Sequence, residues 1–185
     1  HFLELMEELI RNQLNLKERF KIKETLSTED KATYYSEWIY AATHIAVTVP
    51  SLQTAVDIAQ FFQLPKSKVA SVLKFLSHTG LVSEKTPGRF QIGEARLHVG
   101  SDSPLLSRHH TNWRLQAMNS LDLEGEKDLH YTSVVSISQE DILEIKSRFV
   151  KEIDRYNSTV KDSKEETLCC LVLDFFSLDK SESKK

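Results

Sequence analysis

The strongest constraint on the fold lies in residues 54–93, where two short apolar stripes are separated by a proline break and followed by a Pro-Gly turn. Ala55, Ile58, Ala59 and Phe62 recur at helical spacing, which predicts a short helix. Gln63, Leu64 and Pro65 break it. Pro65 then opens a second helix to about His78, with Val69, Val72, Leu73 and Leu76 turned inward. Proline is tolerated at a helix start because its missing N–H would have no partner there. Gly80 fits a left-handed C-terminal cap. Residues 81–85 and 89–92 flank Thr86-Pro87-Gly88 and read as a hairpin. A short helix, a sharp turn, a second helix and a two-stranded wing form the layout of a winged helix-turn-helix. In that layout the first helix and the turn hold the second helix so that its outer face can enter a major groove. Ile58, Ala59, Phe62, Leu64, Val69, Leu73, Leu76, Leu81 and Val82 can supply the small core.

The outer face of the second helix carries Lys66, Ser67, Lys68, Ser71, Lys74 and His78, and the wing adds Lys85 and Arg89. Residues 66–89 hold five bases against one acid, a local charge of +4. Residues 122–185 hold 15 acids against 10 bases, a charge of −5, and the whole chain carries −3. A basic tip on an acidic body predicts contact with double-stranded DNA through Lys66, Ser67, Lys68, Ser71, Lys74, Lys85 and Arg89. No arginine lies on the presumed recognition helix. Bidentate arginine is the commonest reader of guanine, so backbone contact is better supported than base reading. Winged helices also dock proteins, so a protein-interaction module stands as the alternative, and a small-molecule sensor domain as a third reading.

The flanks organise the rest. Leu3, Met6, Leu9, Ile10 and Leu14 sit at helical spacing, as in the end of a helix that begins before the sequence does, and a charged linker follows. Trp38, Ala42, Ile45, Ala46 and Val49 form another apolar stripe, ended by Pro50. Its start has two readings: a cap at Ser27, or a short strand over residues 32–35 with a cap at Ser36. Ser103-Pro104 opens a helix with Leu106, His110, Trp113, Ala117 and Leu121 on one face. Residues 130–137 alternate like a strand, and Ser138 with Asp141 fits a capping box ahead of Ile142, Ile145, Phe149, Ile153 and Tyr156. Residues 168–173 with Phe175 and Phe176 are apolar on both faces, which suggests a strand covered on both sides. The expected class is therefore α+β: residues 1–30 as the end of a helical region and a linker, 31–100 as the winged helix-turn-helix, and 101–185 as a small β-α-β assembly or sensing module. The last strand is expected to be covered by the helix over residues 105–121, by the winged helix or by a second copy of the chain, and a homodimer is the expected assembly.

Little in the chain points to catalysis, a cofactor or a metal. There is no Gly-rich phosphate loop, no nucleophile elbow and no HExxH motif. His109 and His110 are adjacent, about 100° apart on a helix, which is poor geometry for one metal. His110 is expected to pack beside Trp113 while His109 faces solvent. Cys169 and Cys170 are neighbours in the apolar run, so they read as buried and inert rather than as a redox pair. The cysteine usage suits the cytoplasm, and no apolar run approaches a membrane span.

Three stretches together carry a resemblance: Tyr35-Ser36-Glu37-Trp38, then residues 54–82, then Ser138-Gln139-Glu140-Asp141-Ile142 ahead of a long helix and a last apolar run. Their order resembles a bacterial family of transcriptional regulators, described as a domain of unknown function with a winged helix and normally preceded by an N-terminal helix-turn-helix. The resemblance spans residues 1–178. It implies a DNA-binding regulator and no catalytic or ligand residues. It also implies that residues 1–14 close a first DNA-binding domain. The alternative function is then a protein-interaction and dimerisation module behind that domain.

Overall fold

The computed structural model describes residues 26–97, 104–123 and 125–179. The helix expected over residues 1–14 lies outside the described residues, as does most of the linker. Two compact units emerge, one drawn from His1–Leu123 with Lys164–Cys169, the other from Glu124–Ser163 with Cys170–Lys185.

In the first unit Ser27 caps a short helix of its own, α1 (Thr28–Tyr34). Its hydroxyl accepts from the Asp30 N–H at 3.0 Å, and the Asp30 carboxylate accepts from the Ser27 N–H at 3.4 Å. This reciprocal box satisfies two donors that a helix start leaves unpaired. No strand forms over residues 32–35. The chain turns instead, and α2 (Trp38–Ala46) begins after Glu37. It ends before Pro50 in successive tight turns that bury Val47, Val49 and Leu52.

The segment 54–93 forms the elements its sequence predicts. Thr54 caps α3 (Ala55–Phe62), accepting from the Asp57 N–H at 3.2 Å. Gln63 stops it in the left-handed region at φ 53, at a cost of about 1–2 kcal/mol for a residue with a side chain. Pro65 then leads into α4 (Lys66–His78). Gly80, at φ +75, reverses the chain into the antiparallel pair β1 (Val82–Thr86) and β2 (Arg89–Ile92). A Cβ on Gly93 would lie 2.1 Å from the Gly80 carbonyl oxygen, so only glycine lets these backbone segments meet. The Gly93 N–H donates to the Leu81 carbonyl at 2.8 Å across that contact.

The core lies where α2, α3, α4 and β1 converge. Ile39, Ala46, Ile58, Val69, Val72, Leu73, Leu76, Leu81 and Val82 are all at most 2% exposed. Burying each large aliphatic side chain contributes about 1.5–3 kcal/mol. Trp38 meets Phe62 edge to face at 5.3 Å, and Tyr40 meets Phe75 in the same way at 5.2 Å. Helix α5 (Pro104–Ser120) leans on this core through Leu105 and Trp113, with a single 3-10 turn at Leu121–Leu123 after it. The Asn112 amide donates to the Tyr35 carbonyl at 3.0 Å.

The inward face of α5 corrects the sequence reading. His109, not His110, packs beside Trp113: its ring lies 6.2 Å from the indole and 5.1 Å from Tyr35, while His110 is exposed. Leu106, Trp113 and Ala117 of the predicted face are half-buried, as are Leu105, His109 and Asn112, so the face shifts only at the histidines. One position turns a helix face by about 100°.

The second unit is built on α6 (Gln139–Asp162), capped by Ser138, which accepts from the Asp141 N–H at 3.1 Å. The expected β-α-β module is not formed. Residues 128–138 and 168–177 run without helix or strand on either side of α6, and β1–β2 is the two-stranded sheet of the described chain. Strand propensity alone does not make a strand, because a ladder needs a partner edge. The run 168–173 is accordingly not a covered strand, and Cys169 and Cys170 are exposed, without a disulfide. Helix and antiparallel hairpin together still place the protein in the α+β class. Among the described residues no helix is long and apolar enough to cross a membrane.

Candidate nucleic-acid interface

Helix α4 is built to show one face. Its inward positions Val69, Val72, Leu73 and Leu76 are buried, which leaves Lys66, Ser67, Ser71, Lys74 and His78 in solvent. Four of the seven residues singled out in the sequence, Lys66, Ser67, Ser71 and Lys74, thus share one exposed helix face about 20 Å long. The Ser71 hydroxyl folds back to donate to the Ser67 carbonyl at 3.0 Å.

Lys68, the fifth, is half-buried and committed elsewhere. Its ammonium donates to both carboxylate oxygens of Glu37, at 2.8 and 2.9 Å. That hydrogen bond holds the Lys68 ammonium above its ordinary pKa. Both side chains remain substantially exposed, so the pair contributes little to stability. Its consequence is local neutralisation: one of the four presumed helix and wing lysines already faces a carboxylate.

The hairpin carries the remaining two. The ladder shifts register between Glu84 and Thr86, which leaves Lys85 as the extra residue of a bulge within β1, exposed to solvent. The Glu84 carboxylate accepts from the Gly88 N–H and braces the turn. Arg89 is a strut. Its Nε donates to the Gln53 side chain at 3.0 Å and its Nη2 to the Pro50 carbonyl at 3.1 Å, while the neighbouring Phe90 N–H donates to the Gln53 carbonyl at 2.7 Å. The guanidinium ties the hairpin to the loop before α3. Lys66, Lys74 and Lys85 remain as exposed cations with no ion-pair partner among the described residues.

The C-terminal end of α4 has a different character. A groove of about 750 Å³ there is lined by Asp30, His78, Glu84 and Glu94 among others. Three carboxylates make that end unfavourable for a polyanion, which leaves Lys66 and Lys74 on α4 and Lys85 on the hairpin as the exposed cations. Among the described residues no group of three His, Cys, Asp or Glu side chains could hold a metal ion.

Between α1 and α2 lies a polar contact with no signal in the sequence. The Tyr34 hydroxyl and His44 Nδ1 are 3.1 Å apart, joining α1 to α2. Burial, reinforced by Tyr35, drives the Tyr34 phenol far above its ordinary pKa, and burial pushes Tyr35 up to about 12. Burial lowers the pKa of His44, with the Arg96 charge acting the same way and a hydrogen bond to the Leu81 backbone opposing. His109 is lowered by burial and by its neighbour His110. These groups hold the scaffold, and none lies on the cationic face.

A family model described as Domain of unknown function (DUF4423) matches residues 17–178. No curated protein and no solved structure matches the chain.

Proposed function

The chain belongs to the family of the Domain of unknown function (DUF4423), and from that premise we propose that α3, α4 and the β1–β2 hairpin act as a winged helix-turn-helix on duplex DNA. The protein is then a DNA-binding transcriptional regulator of the cytoplasm. The observation that carries the reading is the exposed face of α4, with Lys66 and Lys74 unpaired on it and Lys85 exposed at the bulge of the following hairpin. Ser67 and Ser71 lie between the two helix lysines in sequence and can approach the same backbone. Arg89 sets the pose of the hairpin through Pro50 and Gln53. Lys68 contributes less while Glu37 holds it. Three lysines suit phosphate contact, which fixes orientation and carries no sequence information of its own.

The test is a salt series. Three phosphate contacts give log K against log salt a slope of about −3, at roughly −0.9 per phosphate. Duplex binding is measured by fluorescence anisotropy for the chain and for a Lys66→Glu/Lys74→Glu/Lys85→Glu variant. The expected result is a slope near that value in the chain and loss of binding in the variant. Equal binding by both at every salt concentration refutes DNA contact through this face and leaves it as a protein-docking surface.

A further inference from the structure

Glu37, in the stretch Tyr35-Ser36-Glu37-Trp38, occupies the cap position of α2. Ser, Thr, Asp and Asn are preferred there, because a short side chain can accept from the free N–H groups of the first turn. The Glu37 side chain makes no such bond. It crosses instead to α4, where both of its oxygens accept from Lys68 Nζ at 2.8 and 2.9 Å, over 31 positions of sequence. No other partner of this carboxylate is found among the described residues. Stability does not account for the contact. The two side chains are 40% and 51% exposed, and ion pairs open to water to that degree contribute little to folding. Lys68 lies in the first turn of α4, the end of a helix that favours an anion, and it neighbours Ser71 of the exposed face one turn on. The anion it holds there is the Glu37 carboxylate.

Resting on the reading of α4 as a DNA-contacting helix, we propose that Glu37 is an internal counter-ion: it occupies Lys68 in place of a duplex phosphate and so limits this face to the contacts of Lys66, Lys74 and Lys85. Counterion release counts the phosphates that a protein neutralises. The Lys68 ammonium has a third N–H to offer, but its pair with Glu37 carries no net charge. A phosphate beside that pair is not neutralised and releases no counterion. Drawing the ammonium away leaves the carboxylate behind, next to a polyanion of its own sign. The pair and the phosphate therefore compete for one cation, although the pair itself is weak. Glu37 acts through Lys68 and is a positioning residue.

The test is duplex binding by fluorescence anisotropy across a salt series, on the full chain and three variants. Glu37→Gln keeps the size of the side chain and removes its charge. It should steepen the slope of log K against log salt by about 0.9 and tighten binding about 8-fold at 0.1 M salt, a gain that closes towards 1 M. Glu37→Gln/Lys68→Gln should lose both gains. Glu29→Gln removes the same charge from α1 and should leave the slope where it was. Thermal melts of all three should stay within about 5 °C of the unaltered chain. If the unaltered chain binds and Glu37→Gln binds with the same slope and affinity, the counter-ion role is overturned and DNA contact through α4 stands. A gain that survives Lys68→Gln, or that Glu29→Gln reproduces, overturns it as well. A collapsed melt in Glu37→Gln makes the pair structural and has the same consequence. No duplex binding by the chain or any variant overturns both readings together.

Discussion

Thr43 sits in the middle of α2 with no exposure to solvent, and its hydroxyl oxygen has no hydrogen-bond partner among the described residues. A buried hydroxyl without a partner costs about 1–3 kcal/mol, because folding strips its water and returns nothing. Thr43→Val replaces the hydroxyl with a methyl of nearly the same shape. Valine keeps the branched Cβ and has a similar helix propensity, so the backbone contribution hardly changes. The expected gain is about 1–2 kcal/mol, which for a unit of roughly 100 residues raises the melting temperature by some 4–16 °C. Two companions separate the causes. Thr43→Ser keeps the orphan hydroxyl and loses the methyl, so it should destabilise by about 1 kcal/mol. Thr43→Ala loses both and should fall between the other two. Urea unfolding at constant m measures all three. A valine variant less stable than the threonine protein would mean that the hydroxyl has a partner and that the cost assigned to it does not exist.

Two further outcomes follow from the packing of the first unit. The folded state disfavours a charged His44, since burial lowers its pKa from 6.5, so stability is complete above that value and falls as pH drops below it. Unfolding midpoints should decline on acidification with a slope of up to ~1.4 kcal/mol per pH unit for one proton, and His44→Gln should flatten the decline, leaving the share due to His109. An unchanged slope in that variant would rule out His44 as the source. Gly93→Ala places a methyl 2.1 Å from the Gly80 carbonyl oxygen, and backbone cannot move aside as a side chain does. It should cost at least ~2 kcal/mol in thermal unfolding, and an alanine variant with an unshifted melt would contradict the close approach of the two segments.

Helices α3 and α4 and the hairpin were legible because each boundary has a local cause. Thr54 caps, Pro65 starts a helix, Gly80 takes a positive φ and Pro87-Gly88 turns. Each acts within about four residues of itself. The exposed face of α4 was legible to the same extent. Periodicity placed Lys66, Ser67, Ser71 and Lys74 on one face, since a core-facing stripe implies its opposite. What became of Lys68 and Arg89 depended on partners far away in the chain, Glu37 for one and Pro50 with Gln53 for the other. No spacing rule connects them.

Sequence alone determined where α3, α4 and the hairpin begin and end, because capping, proline geometry and apolar period are short-range effects. Tertiary structure decided which cations stay unpaired, which histidine of α5 turns inward, and that residues 130–137 and 168–176 remain outside any sheet of the single chain. The physical reason is that ion pairs, helix phase against a neighbour and β-ladders all depend on groups distant in sequence. A β-prone segment states only its readiness to pair, and the edge it pairs with must come from elsewhere.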